Sequence, residues 1–223
     1  MIKTFQYRIY PTKKQIHELN IQFGINRYVW NEALYHIKTD LNNKYPGKST
    51  MEKRLVQIKK NEDTIWIKQA NSQSLQKTIK RLAKSFDNFF KKKGKYPKFK
   101  KRKDIQSIEV PQHFSLEYCG DFGTKSLNQR KALLKIPKIG YLDLRYHRPI
   151  IGIIKTVLIS KTPAGEYYAS LVCETGTFVP VNWTGEITGI DLGLKDIIID
   201  SNGNKYDNQR FMKQEHRKMR KLQ

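Results

Sequence analysis

Between residues 105 and 175 the chain runs through six short strand-like segments: "SIEV", "FSLEY", "ALLKI", "YLDLRY", "IIGIIKTVLIS" and "EYYASLVCE". Strands this short and this closely spaced cannot each bury an apolar face alone, and the architecture they favour is a small barrel. "TPAGE", residues 162–166, supplies a hairpin turn, with Pro163 and Gly165 in turn positions. Residues 3–9 alternate in the same way. Phe5, Tyr7 and Ile9 share one side, while Lys3, Gln6 and Arg8 fall mostly on the other. If that strand joins the barrel, everything between it and residue 105 is an insertion.

The insertion reads as helical. Pro11 ends the first strand and Thr12 is placed to cap a helix. Ile16, Leu19 and Phe23 recur at helical spacing, and Gly24 is expected to break the run. Val29, Trp30, Ala33, Ile37 and Leu41 then mark a second helix, closed by "NNKYPGKS". Two helices about a glycine look like a DNA-reading helix-turn-helix, but most such pairs are simply packed helical hairpins. Residues 71–93 carry the clearest stripe: Leu75, Ile79, Leu82, Phe86 and Phe89 or Phe90.

Charge is concentrated on that last helix and its exit. The chain holds 43 Lys+Arg against 20 Asp+Glu, a net +23 that points to a polyanionic partner. Lys77, Lys80, Arg81, Lys84, Lys91, Lys92, Lys93, Lys95, Lys98, Lys100, Lys101, Arg102 and Lys103 lie between residues 75 and 104, opposed only by Asp87 and Asp104. Tyr96 and Phe99 are interleaved with them. Aromatics among cations can stack on bases while the cations neutralise phosphates, so this tract is the candidate nucleic-acid interface. Arg145 and Arg148, with His147 between them, either hold phosphates or close a turn.

Other function classes lose support. Cys119 and Cys173 form no CxxC pair, and the five histidines have no ligand spacing, so no zinc site is expected. No apolar run reaches the roughly 18 residues that span a bilayer, and "MIKTFQYRIYPTKK" has no signal-peptide core. The expected location is cytoplasmic, with no membrane partner.

After a linker at 179–185, "VPVNWTG", a new unit begins with strands at 187–191 and 197–200. The turn "SNGN", a short strand near 205–207 and a basic helix from about 209 follow. Asp191 interrupts the first of these strands, where a buried carboxylate would need a partner or a metal. Gly189 and Gly193 flank it. A hard divalent cation such as Mg²⁺ suits a carboxylate, but two-metal cleavage needs several acids together. The alternative is that Asp191 opens a turn through its side chain. Asp196 and Asp200 read as turn and edge residues, and Glu215 as an ion-pair partner for Arg217–Arg220.

Six blocks, in order, resemble those of the TnpB family, transposon-encoded proteins of the OrfB type related to type V CRISPR effectors. They are "MIKTFQYRIYPTKKQ", "FGINRYVWNEAL", "GKYPKFKKRKDIQS", "IPKIGYLDLRYHRPI", "IKTVLISKTPAGEYYASLVCE" and "GIDLGLKDIIIDSNG". The resemblance spans residues 2–223. It implies an RNA-guided DNA endonuclease of an insertion sequence, whose partners are a guide RNA and a target DNA. It also implies an α+β fold. A wedge-like β-barrel would occupy 1–11 and 100–178, with a helical recognition lobe inserted at 12–99. The start of an RNase H-like (RuvC) domain would lie at 186–223. By the same resemblance Asp191 is the first of three catalytic carboxylates, which together hold Mg²⁺ or Mn²⁺. The family's later Glu and Asp, and the zinc ribbon between them, have no counterpart before Gln223. The expectation is therefore a truncated protein that binds nucleic acid but does not cut alone. The alternatives are a nuclease-deficient regulator and half of a split nuclease completed by a C-terminal fragment. Residues 186–223 are expected to be poorly ordered, with Ile187, Ile197 and Ile199 uncovered.

Overall fold

The strand β1 (Ile2–Tyr10) buries Phe5, Tyr7 and Ile9, as its alternation requires. The computed structural model describes residues 1–42, 44–119, 131–176 and 187–208, with 215, 216, 219 and 220. Contacts divide the chain into two compact units, Met1–Thr177 and Phe178–Gln223. The expected linker at 179–185 lies outside the described residues.

In the first unit β1 is followed by three helices, α1 (Lys13–Thr39), α2 (Lys48–Lys60) and α3 (Ser72–Phe90), with a 3-10 helix at Glu62–Gln69. Six strands come next: β2 (Gln106–Val110), β3 (Ser115–Cys119), β4 (Lys131–Ile136), β5 (Gly140–Arg145), β6 (Ile153–Lys161) and β7 (Tyr167–Glu174). All pairings are antiparallel, in the order β2-β6-β7-β1-β5-β4-β3. The sheet is open, with β2 and β3 at its ends, so the closed barrel expected from the sequence does not form. β1 pairs with β7 from Ile2↔Glu174 to Ile9↔Tyr167, but meets β5 only at Ile9↔Leu144 and Tyr10↔Asp143. Both halves still bury one face in a common core, which includes Tyr7, Leu134, Leu142, Val157 and Leu171. The β6–β7 turn forms as read, with Thr162 N–H donating to the Glu166 carbonyl at 2.8 Å.

The second departure is at Gly24. α1 is one unbroken helix, with no turn at this glycine. Its start is as expected: Thr12 and Gln15 form a capping box. Leu19 and Phe23 pack into the sheet core, while Ile25, Val29, Leu34 and Ile37 pack into a second cluster made by the helices. A helix held by two cores absorbs the roughly 1 kcal/mol that a mid-helix glycine costs. A Cβ at Gly24 would meet nothing within 4 Å.

The helical cluster joins α1 to Met51, Leu55 and Ile58 of α2, Ile67 of the 3-10 helix, and Leu75, Ile79, Leu82 and Phe86 of α3. The apolar stripe of α3 ends at Phe86, since Phe89 and Phe90 are exposed. A buried polar knot locks the start of α3 to α1. Asn26 Oδ1 accepts from the hydroxyls of Ser74 (3.1 Å) and Thr78 (2.7 Å), and Gln22 Oε1 accepts from Asn71 N–H at 3.0 Å. Lys138, in the β4–β5 turn, donates from Nζ to the carbonyls of Lys68, Gln69 and Ala70 at 2.9, 3.1 and 3.2 Å. One amine thus satisfies the orphan carbonyls at the end of the 3-10 helix.

The second unit holds a small antiparallel sheet, β10-β9-β8, of β8 (Ile190–Asp191), β9 (Asp196–Asp200) and β10 (Lys205–Asp207). β8 is shorter than the strand expected at 187–191. The expected basic helix is described only at 215, 216, 219 and 220, which are helical.

Candidate nucleic-acid interface

The basic residues of α3 divide by what they touch. Lys77 and Arg81, four apart, face β2: Lys77 Nζ pairs with Glu109 Oε1 at 2.7 Å, and Arg81 Nη1 donates to Ser107 Oγ at 3.2 Å. These two cations tie the helix to the sheet edge. Lys80 and Lys84 flank them on the neighbouring face and are exposed, as are Lys91, Lys92, Lys93 and Lys95 beyond the helix end.

The exit segment is extended but firmly held. Trp30 Nε1 donates to the Lys98 carbonyl at 3.0 Å. Asn31 brackets Lys100, donating to its carbonyl at 3.0 Å and accepting its N–H at 2.8 Å. The Lys100 amine then lies over the Trp30 ring, 4.0 Å from its centroid. Burial, aided by the Arg81 charge, pushes its pKa down to about 8. The Tyr96 ring packs edge-on against Phe86 and Phe89, at 5.5 and 5.3 Å, on the helical cluster. Phe99 is 40% exposed, with the Lys38 amine 5.0 Å from its ring. Of the two interleaved aromatics, Phe99 is the one presented at the surface.

Lys98, Lys101, Arg102 and Lys103 are exposed. The last three ride on a turn that its own side chains organise. Asp104 Oδ2 accepts Lys101 N–H at 2.8 Å. Gln106 Nε2 donates to the carbonyls of Lys101 (2.9 Å) and Asp104 (2.7 Å). Arg27 of α1 donates to Gln106 Oε1 at 2.7 Å. Arg27 was no part of the candidate set. Its signal was its position four residues before Asn31 on the same helix face.

Arg145 and Arg148 are exposed near the end of β5. The Arg148 carbonyl accepts the Tyr7 hydroxyl at 3.0 Å, and the Arg148 guanidinium lies over Phe5 at 5.4 Å. Burial, with Tyr146 close by, raises the Tyr7 hydroxyl well above its ordinary pKa.

In the second unit Asp191 pairs with Ile199, and Ile190 with Asp200. Asp191 is exposed, as are its neighbours Ile190 and Leu192, so the buried carboxylate expected from the pattern is not found there. The sheet has nothing described over that side. Gly193 is needed for close approach, since a Cβ there would lie 2.8 Å from the Asp196 carbonyl oxygen. Asp200 serves its turn, accepting from the N–H groups of Asn202 (3.0 Å) and Asn204 (2.9 Å) and from Asn204 Nδ2 (2.7 Å). Those bonds hold its carboxyl below the usual range. Among the described residues no three His, Cys, Asp or Glu side chains are grouped to hold a metal. One exposed carboxylate does not make a Mg²⁺ site, so these residues do not by themselves fit the metal that the resemblance implies. No helix among the described residues is long and apolar enough to cross a membrane.

Residues 1–43 match the family model HTH_OrfB_IS605, described as a helix-turn-helix domain. The corresponding residues here form β1 and the continuous α1. The chain is 29% identical over 224 residues to the "Putative RNA-guided DNA endonuclease InsQ" of Escherichia coli (strain K12), covering 100% of this chain and 53% of that protein. It is 30% identical over 226 residues to the "Putative RNA-guided DNA endonuclease" of Streptomyces pristinaespiralis, again covering 53% of the relative. It is also 31% identical over 114 residues to the "Virulence protein VsdF" of Salmonella dublin, which covers 46% of this chain and 95% of that protein. The chain spans about half the length of the two endonuclease relatives.

Proposed function

We propose, from the premise that this chain belongs to the TnpB family of insertion-sequence proteins, that its first unit grips a guide RNA and target DNA through the surface around α3 and its exit segment. One observation carries the reading. The basic tract sorts into cations engaged by the protein itself and cations left outward on a fixed backbone. Lys77, Arg81 and Lys100 belong to the first group. Lys80, Lys84, Lys91, Lys92, Lys93, Lys95, Lys98, Lys101, Arg102 and Lys103 belong to the second, with Phe99 among them. Such a surface suits phosphates and backbone shape, while base pairing with a guide would read sequence.

The sheet of residues 1–11 and 100–178 takes the part of a wedge, the helices of 12–99 that of a recognition lobe, and 186–223 the start of a RuvC domain. Asp191 is assigned the first carboxylate position of the nuclease, where Mg²⁺ or Mn²⁺ binding requires further acids. Residues 1–223 supply Asp191 without those further acids, so a supercoiled plasmid incubated with this chain and Mg²⁺ should stay uncut.

The binding reading is tested by titrating labelled RNA and DNA at rising salt. Neutralising an outward lysine, as in Lys91→Ala, should lower the log–log salt slope by about 0.7 to 0.9 through one fewer counterion released. Lys77→Met should leave it unchanged. Equal effects from the two would refute the division.

A further inference from the structure

Between α1, the turn of residues 101–105 and the β6–β7 hairpin lies a concavity of about 670 Å³. We propose that this concavity is a subsite for one unpaired nucleotide, RNA or DNA, extruded from the strand held by the basic surface. The proposal rests on the nucleic-acid reading above and deepens it.

The volume falls in the range of small-ligand pockets and is far too small to admit a duplex. What enters must be a single unstacked unit. The lining suits a base with its phosphate. Phe23 and Pro163 contribute apolar wall, and Asn20 and Gln106 contribute amide groups. Arg27, Arg102, Lys103 and Lys161 put four cations around the space, against Asp104 as the one acid of the lining. The Asp104 carboxylate accepts the Lys101 N–H at Oδ2, and its single charge is outnumbered by the four cations.

The groups are also held in place. Arg27 spends one donor on Gln106 Oε1, which fixes its plane and leaves other N–H groups for a phosphate or a base edge. Gln106 in turn pins the turn that carries Arg102 and Lys103. The Lys161 amine is oriented by Asn20 Oδ1 at 3.3 Å and sits 5.5 Å from the Tyr167 ring centroid. A planar guanidinium beside an apolar wall is the kind of slot in which single-stranded bases are stacked and read.

The test compares a fully paired duplex with the same duplex carrying one bulged nucleotide, made as RNA and as DNA, with 2-aminopurine at the bulge. The full chain should bind the bulged form about tenfold more tightly, the scale of one stacked base, and the fluorophore should change its emission on binding. Asn20→Trp fills the concavity without changing charge, from an exposed position on α1, and should bring the affinity ratio to about one. Lys161→Met should reduce the same ratio, and serves as the second variant if Asn20→Trp does not fold. The RNA and DNA arms tell which strand supplies the nucleotide. Equal binding of bulged and paired forms, or a ratio untouched by both variants, would overturn the proposal while leaving the basic surface standing. No binding of any nucleic acid would instead overturn the parent reading.

Discussion

Gly24→Ala separates the observed α1 from a helix–turn–helix at the same residues. If Gly24 sat in a turn with positive φ, alanine would strain the backbone and destabilise the protein. Here Gly24 lies inside a continuous helix and is absent from the residues with positive φ. Its Cβ position is open, with no atom within 4 Å. The substitution should therefore cost no packing and gain the propensity difference, about 0.5 to 1 kcal/mol. For a chain of this size that is a rise of roughly 1 to 4 °C in Tm. Urea unfolding of the full chain, followed by far-ultraviolet circular dichroism and by tryptophan fluorescence, measures it. Trp30 lies in the helical cluster that α1 supports, so fluorescence reports on the affected region. Gly24→Pro is the opposing control and should lose about 3 kcal/mol or more, because a helix interior cannot supply the missing N–H. A Gly24→Ala protein less stable than the parent, or one with less helix, would refute the continuous α1.

Two further perturbations follow from the same packing. Asn26→Leu leaves the buried Ser74 hydroxyl without its acceptor, while Thr78 keeps the Ser74 carbonyl, and should cost about 1 to 3 kcal/mol in urea unfolding; a loss under about 0.5 kcal/mol, the usual scale of surface substitutions, would count against the knot. Lys100, whose folded pKa of about 8 lies below the ordinary 10.5, penalises the fold while charged. Stability should thus rise between these values by on the order of 1 to 2 kcal/mol, after discounting for partial exposure. Lys100→Met should reduce that rise, leaving the smaller part due to Lys59, whose pKa burial also lowers, and a variant with the parent's pH dependence would show that the amine is not desolvated.

Much of the fold was legible where periodicity and burial coincide. β1 and β4 to β7 alternate because one face meets the core, and α3 shows its stripe because one side meets α1. α2 escaped notice. Its buried residues are only Met51, Leu55 and Ile58 in a lysine-rich segment, and its N-cap Gly47 offers no side-chain bond. The break expected at Gly24 failed because local propensity was overridden by two cores gripping one helix. The barrel failed because closure needs the edge strands β2 and β3 to pair with each other, a long-range register that composition does not encode. Asp191 stands in a stretch whose apolar neighbours read as a buried strand, yet Ile190 and Leu192 are exposed with it, because composition does not say whether a strand's faces are covered.

The candidate site was legible as a tract but not as a surface. Nothing near Lys77 in the chain announces that Glu109, 32 residues later, will neutralise it. Nothing near Lys100 announces Trp30. Only the tertiary fold decides which cations remain for a partner, and here it does something further. The exit segment is fastened by Trp30 and Asn31, and its turn by Asp104, Gln106 and Arg27. A loose basic tail must order its backbone when it binds, at about 1 to 2 kcal/mol per residue. This segment has met that cost in folding, so each outward cation acts from a set position. Preorganisation of this kind favours a strand of particular shape over polyanions at large. Cutting the fastening with Asn31→Ala should therefore weaken binding to a structured nucleic acid more than binding to heparin. Equal losses on both would mean that charge alone does the holding.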